Sequence, residues 1–81
     1  MDRTTIENAV KAAAAQTYNK SIDEITLDTG WAELGDHSSK LLRFSMFIDG
    51  ELGVDDVADL DELMDNDTLA DTVDMIAAKL A

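Results

Sequence analysis

Apolar residues return at the spacing of a helix face in three separated stretches of this chain, and no proline interrupts any of them. No stretch alternates convincingly as a strand would, so the pattern predicts an all-α protein: a four-helix bundle with three longer helices and a short third one. The first helix is expected from about Thr5 to Tyr18, with Ile6, Ala9, Val10, Ala13 and Thr17 on one face, four consecutive alanines adding propensity, and Thr4 or Thr5 as its cap. A long loop follows from Asn19 to Gly35, with Ile22, Ile25, Leu27, Trp31 and Leu34 as apolar anchors that pin it. The second helix should begin at Ser38 or Ser39 and stop near Leu52, before Gly53; Leu41, Leu42, Ser45, Ile48 and Leu52 repeat along it, and Lys40, Arg43 and Asp49 fall on its exposed face. A short third helix is expected around Val57 to Met64. Thr68-Leu69-Ala70-Asp71 reads as a capping box for the last helix, with Leu69, Val73, Ile76, Ala77 and Leu80 inward and Lys79 near its negative end.

With 81 residues the chain is expected to form one domain spanning 1–81, too small for a deep cleft between two lobes. It has no cysteine, which excludes disulfides, thiolate metal sites and a cysteine nucleophile. Met1-Asp2-Arg3-Thr4-Thr5 has no basic segment leading into an apolar stretch, and no apolar run approaches a membrane span, so a soluble cytoplasmic protein is expected. The net charge of −12 disfavours nucleic acid and anionic lipid and favours basic partners. That charge is unevenly placed: residues 49 to 74 hold eleven acids and no Lys or Arg. Hydrophobic residues at 46% argue that the acids decorate a folded domain and not a disordered chain.

Leu34-Gly35-Asp36-His37-Ser38-Ser39 places a serine where the loop becomes the second helix. A hydroxyl there can cap free backbone N–H groups, and a phosphate attached to it would meet the positive end of the helix dipole. Asp36, His37 and Ser38 have the residue types of a hydrolase triad, but consecutive side chains on a turn point apart, and a triad needs converging groups. No Gly-x-Ser-x-Gly elbow is present, and His37 reads as a loop residue beside the cap. The carboxylates do not form a calcium loop: one starting at Asp61 would put Asn66 where glycine is required, so no metal site is expected. Met46, Met64 and Met75 read as core or groove filler, and Trp31 as the anchor that holds the loop and so fixes Ser38.

The residues around Ser38 resemble the phosphopantetheine-binding carrier proteins, the acyl carrier and peptidyl carrier domains. Their pattern is Leu-Gly-x-(Asp or His)-Ser-(Leu, Ile or Met), with which five of the six positions from Leu34 to Ser39 agree in type. The likeness continues through Leu42, Ile48 and Glu51-Leu52-Gly53-Val54 to Thr68-Leu69-Ala70-Asp71-Thr72-Val73, and is weakest over the first helix. His37 and Trp31 look more like peptidyl carriers, whereas the acidity is similar to free-standing acyl carriers.

This resemblance implies a bundle of acyl-carrier type and a monomer. It also implies covalent 4'-phosphopantetheine on Ser38, delivered from coenzyme A by a phosphopantetheinyl transferase. The arm's thiol would then hold intermediates as thioesters for an acyl- or aminoacyl-loading enzyme and for the synthase, modifying or transferase enzymes of one pathway. That pathway is expected to be of a specialised fatty-acid, polyketide or nonribosomal-peptide type, and the chain itself is not expected to be an enzyme. Two departures stand out: Ser39 replaces the apolar residue after the modified serine, and Lys40 and Arg43 stand where acidic carriers have carboxylates. Register favours Ser38 over Ser39, because moving the site would shift every later match. Partner recognition is expected from Asp36, His37, Ser39, Lys40 and Arg43, with basic partner groups meeting Asp49, Glu51, Asp55, Asp56 and Asp59. Leu42, Phe44, Met46 and Phe47 could line a cargo cleft or simply pack. A competing reading from another class is an unmodified acidic helical interaction module, motivated by Ser39 and the basic start of the second helix.

Overall fold

The computed structural model describes residues 1–35 and 38–80, with Ser38 described by its backbone; Asp36, His37 and Ala81 lie outside the described residues. Among the described residues five helices follow in order: α1 (Arg3–Tyr18), α2 (Trp31–Leu34), α3 (Ser38–Leu52), α4 (Leu60–Met64) and α5 (Leu69–Leu80). The architecture is all-α, and the β pairing among the described residues is one isolated bridge between Gly30 and Thr68.

α1 buries Ile6, Ala9, Val10, Ala13 and Thr17, the face set by its helical period. It begins two residues earlier than the spacing suggests. Asp2 takes the extended N-cap conformation without a side-chain bond, and its carbonyl accepts from Ile6 N at 3.2 Å, so Thr4 and Thr5 lie inside the first turn and do not cap it. At the other end Asn19 turns left-handed, and the Lys20 N–H closes onto the Ala15 carbonyl at 2.9 Å.

The long loop is pinned, but less by aliphatic anchors than by backbone. Ile25, Trp31 and Leu34 are buried, whereas Ile22 is 46% exposed on a 3-10 turn (Ile22–Glu24), which corrects its reading as an anchor. The loop's carbonyls serve the start of α5: Leu69 N donates to Thr29 O at 3.1 Å and Ala70 N to Leu27 O at 2.9 Å. These are first-turn N–H groups with no partner inside their own helix, so the loop and α5 satisfy each other. Trp31 N donates in turn to Asp67 O at 2.9 Å, and the last part of the loop winds into the single turn of α2.

α3 inserts Leu41, Phe44, Ile48 and Leu52 into the core. Leu42 is 55% exposed, which corrects its assignment to the inward face: the buried row runs through Leu41 and Phe44, and Leu42 lies off it, about 100° round the helix from Leu41. Gly53 terminates α3 as expected, at φ 66°, with Val54 N reaching back to Asp49 O at 3.0 Å.

α4 is shorter than expected. Val57 and Ala58 are buried but not helical, because the Asp49 carboxylate accepts from Asp56 N and Val57 N, both at 3.1 Å, and Asp56 is left-handed at φ 52°. α5 opens on the expected box: Asp71 N donates to Thr68 Oγ1 at 3.3 Å, and Thr68 N to Asp71 Oδ2 at 3.2 Å. Met46 and Met64 are 68% and 55% exposed, so they fill no core, while Met75 is half-buried against it.

Candidate functional site

The site is built where α2 hands over to α3. Trp31 lies 1% exposed, edge-on to Phe44 with ring centroids 4.9 Å apart, and its Nε1 donates to Thr72 Oγ1 at 3.0 Å. α2 is therefore tied to α3 by an aromatic contact and to α5 by a buried hydrogen bond. Leu34 closes α2 in the core, and Gly35 ends it at φ 87°, a left-handed conformation that costs glycine nothing. Asp36 and His37 follow, outside the described residues.

Ser38 is the first residue of α3, a helix of fifteen residues with no acid in its first turn. Free N–H groups and the dipole at this end favour an attached anion, so the position fits a serine phosphodiester in chemistry as well as in placement. Ser39 is exposed beside it.

The two cations of this helix differ in surroundings. Lys40 Nζ turns back to the end of α1, 3.4 Å from Thr17 O and 5.7 Å from the Tyr18 ring centroid. Arg43 is exposed, and no described residue pairs with it. The predicted recognition acids also divide: Asp49 is occupied in holding the loop before α4, and Glu51 accepts from Gln16 Nε2 at 3.2 Å, whereas Asp55, Asp56 and Asp59 are exposed on that loop.

A surface groove of about 460 Å³ lies beside α3, walled by Leu42, Ser45, Ala58, Leu60, Glu62 and Lys79. Of the expected cleft residues, Leu42 lines it, Phe44 is core, Phe47 packs against the core and Met46 projects outward. Ala58, Leu60 and Lys79 escaped the reading of the sequence, because the groove depends on the non-helical course of Val57 to Asp59 and on Lys79 pairing with Glu62 across α4 and α5. No periodicity signals either feature. Among the described residues, no group of His or acidic side chains is arranged to hold a metal ion.

Residues 8–76 match the family model described as "Phosphopantetheine attachment site". The chain belongs to that family. No curated protein matches it. Members of the family bear a covalently attached 4'-phosphopantetheine group, and the protein is a carrier for that arm. Carrier domains of this kind are non-catalytic tethers that interact with a phosphopantetheinyl transferase and with pathway enzymes. The helical architecture agrees with the acyl-carrier type. No helix of the described residues is long and apolar enough to cross a membrane.

Proposed function

We propose that Ser38 is the attachment residue and that the chain, a single domain over residues 1–81, is a monomeric cytoplasmic carrier of acyl or aminoacyl thioesters. It would serve a specialised fatty-acid, polyketide or nonribosomal-peptide-type pathway and catalyse no step itself. The observation that carries this reading is the position of Ser38 as the first residue of α3, after a turn ended by a left-handed Gly35, within a chain matched to the family over residues 8–76.

The transferase step is a phosphoryl transfer. The Ser38 hydroxyl attacks the phosphate next to the pantetheine of coenzyme A, the bond to the 3',5'-adenosine bisphosphate breaks, and the hydroxyl proton leaves with the enzyme's base. This chain contributes position: Trp31 and Thr72 hold the approach to Ser38, and the first turn of α3 offers N–H groups and dipole to the new phosphodiester. Once bound, the arm supplies the thiol that carries the intermediate as a thioester. Tethering raises the local concentration of cargo at each partner enzyme. Ser39, Lys40, Arg43, Asp36, His37 and the acids Asp49, Glu51, Asp55, Asp56 and Asp59 are proposed as the surroundings that partners read, and the exposed acids suit brief, salt-sensitive encounters.

Intact mass after incubation of the folded protein with coenzyme A and a broad-specificity transferase tests the reading. One phosphopantetheine adduct is expected, lost in Ser38→Ala and retained in Ser39→Ala. An adduct that survives the first change and vanishes in the second moves the site by one residue. No adduct on any form supports the unmodified interaction module instead.

A further inference from the structure

The chain that leads into α2 rests on the start of α5. Leu27 O and Thr29 O accept from Ala70 N and Leu69 N, Trp31 N donates to Asp67 O at 2.9 Å, and Gly30 pairs with Thr68 as an isolated bridge. Inside this backbone frame a single side-chain oxygen ties α2, α4 and α5 together. Thr72 Oγ1 on α5 accepts from Trp31 Nε1, on the first residue of α2, and from Asn66 Nδ2, each at 3.0 Å. Asn66 stands just past α4, whose last turn it closes by donating from N to Leu63 O at 3.1 Å.

A hydroxyl oxygen has two lone pairs, and here both are taken. Thr72 is fully buried, so a shift of its hydroxyl strands both donors away from water. Asn66 is steadied from its other side by Met75 Sδ, 3.8 Å from the same nitrogen. The edge contact of Trp31 with Phe44, at 4.9 Å between centroids, sets the spacing of α2 from α3 but tolerates sliding and rotation of the ring. The N–H bond to Thr72 is directional, and it fixes how α2 is turned. At the far end of that turn Gly35 N donates to Ala32 O at 3.3 Å, and the chain then proceeds to Ser38. α4 meanwhile walls the groove with Leu60 and Glu62. The groove wall and the attachment turn are thus referred to one oxygen.

We propose that Thr72 is a positioning residue for the reaction at Ser38 and that Asn66 acts through it, so that the seat of α4 sets the direction of the attachment turn. A displacement of α4 reaches Ser38 by way of Asn66, Thr72 and Trp31. None of these side chains needs to touch the transferase or coenzyme A.

This role rests on Ser38 being the attachment residue, and the two fail differently. Rates of adduct formation are measured with coenzyme A and a broad-specificity phosphopantetheinyl transferase, at a temperature where circular dichroism shows every variant folded, beside amide exchange at Gly35. Thr72→Val is expected to lower kcat about tenfold with KM unchanged, because the partner still binds while the serine hydroxyl is off line. Thr72→Ser restores the acceptor and should recover most of the loss. Asn66→Ala should lower kcat about threefold, and adding it to Thr72→Val should cost nothing more, since its partner oxygen is already gone. Exchange at Gly35 should quicken most in Thr72→Val and less in Asn66→Ala. Ile76→Val, a buried change one turn along α5, is the control: Tm falls by about 5 °C while kcat and Gly35 exchange stay as in the unaltered protein. Full kcat in Thr72→Val, a kcat loss in Ile76→Val that is as large per degree of Tm, or losses that multiply in the double variant overturn the positioning role and leave carriage intact. Should Thr72→Val not fold, full kcat in Asn66→Ala overturns it equally. Absence of any adduct on the unaltered protein overturns carriage and this role with it.

Discussion

Two donors converge on one hydroxyl: Trp31 Nε1 and Asn66 Nδ2 both reach Thr72 Oγ1 at 3.0 Å. Thr72 is fully buried, so this oxygen has no water to share the task. Thr72→Val keeps the shape and removes the acceptor. We expect it to cost about 1–3 kcal/mol in urea denaturation, the usual penalty for stranding buried donors. A change below a few tenths would mean that water or a neighbouring carbonyl takes over. Trp31 was legible as an anchor because a lone tryptophan among turn formers needs a core to enter. Its partner was not, since a threonine in the middle of a helix gives no sign of what it will accept. Ser38 was legible for a local reason: a serine and a glycine three residues apart mark a helix start and the end of the preceding turn.

Among the elements, the loop before α4 is the one whose form depends most on a single side chain. Asp49 accepts from two backbone N–H groups at 3.1 Å, and the chain consequently passes Val57 and Ala58 in non-helical form before α4 starts at Leu60. Asp49→Ala should destabilise the fold by about 1.5–3 kcal/mol in a chemical melt, the range for hydrogen bonds to a charged group, with Asp49→Asn losing less. Amide exchange at Asp56 and Val57 should quicken in Asp49→Ala, and at one of the two in Asp49→Asn, whose side chain has a single acceptor oxygen. This contact explains why the third helix was read too long from the sequence: the apolar residues at Val57 and Ala58 are buried as expected, but a side chain eight residues earlier has claimed the backbone. The last helix was read correctly because its cap is local, with Thr68 and Asp71 answering each other within one turn. Ile22 and Leu42 were misread for the opposite reason. Periodicity says that a face is apolar, and only packing says whether anything covers it.

For the whole molecule, charge sets the terms. The principal extents are 29 × 26 × 20 Å, so at about 0.01 M salt, where screening reaches about 30 Å, most of the −12 charge is felt across the fold. Raising the salt toward about 1 M shrinks that reach to about 3 Å and should raise Tm while weakening encounters with basic partner surfaces. A Tm that falls with added NaCl would show instead that the ion pairs of Arg3 with Glu7 and Asp74, and of Lys79 with Glu62, outweigh the repulsion. Fold class and helix order could be read from the chain, because each depends on local spacing. The groove beside α3 and the contact of Lys40 with the end of α1 could not, because they depend on which helix lies on which flank. The most direct test of the central claim is site-resolved fragmentation mass spectrometry of the protein taken from its own producer. The account predicts a phosphopantetheine phosphodiester on Ser38, with or without cargo on its thiol. An adduct on Ser39, or a population wholly without one, would contradict it.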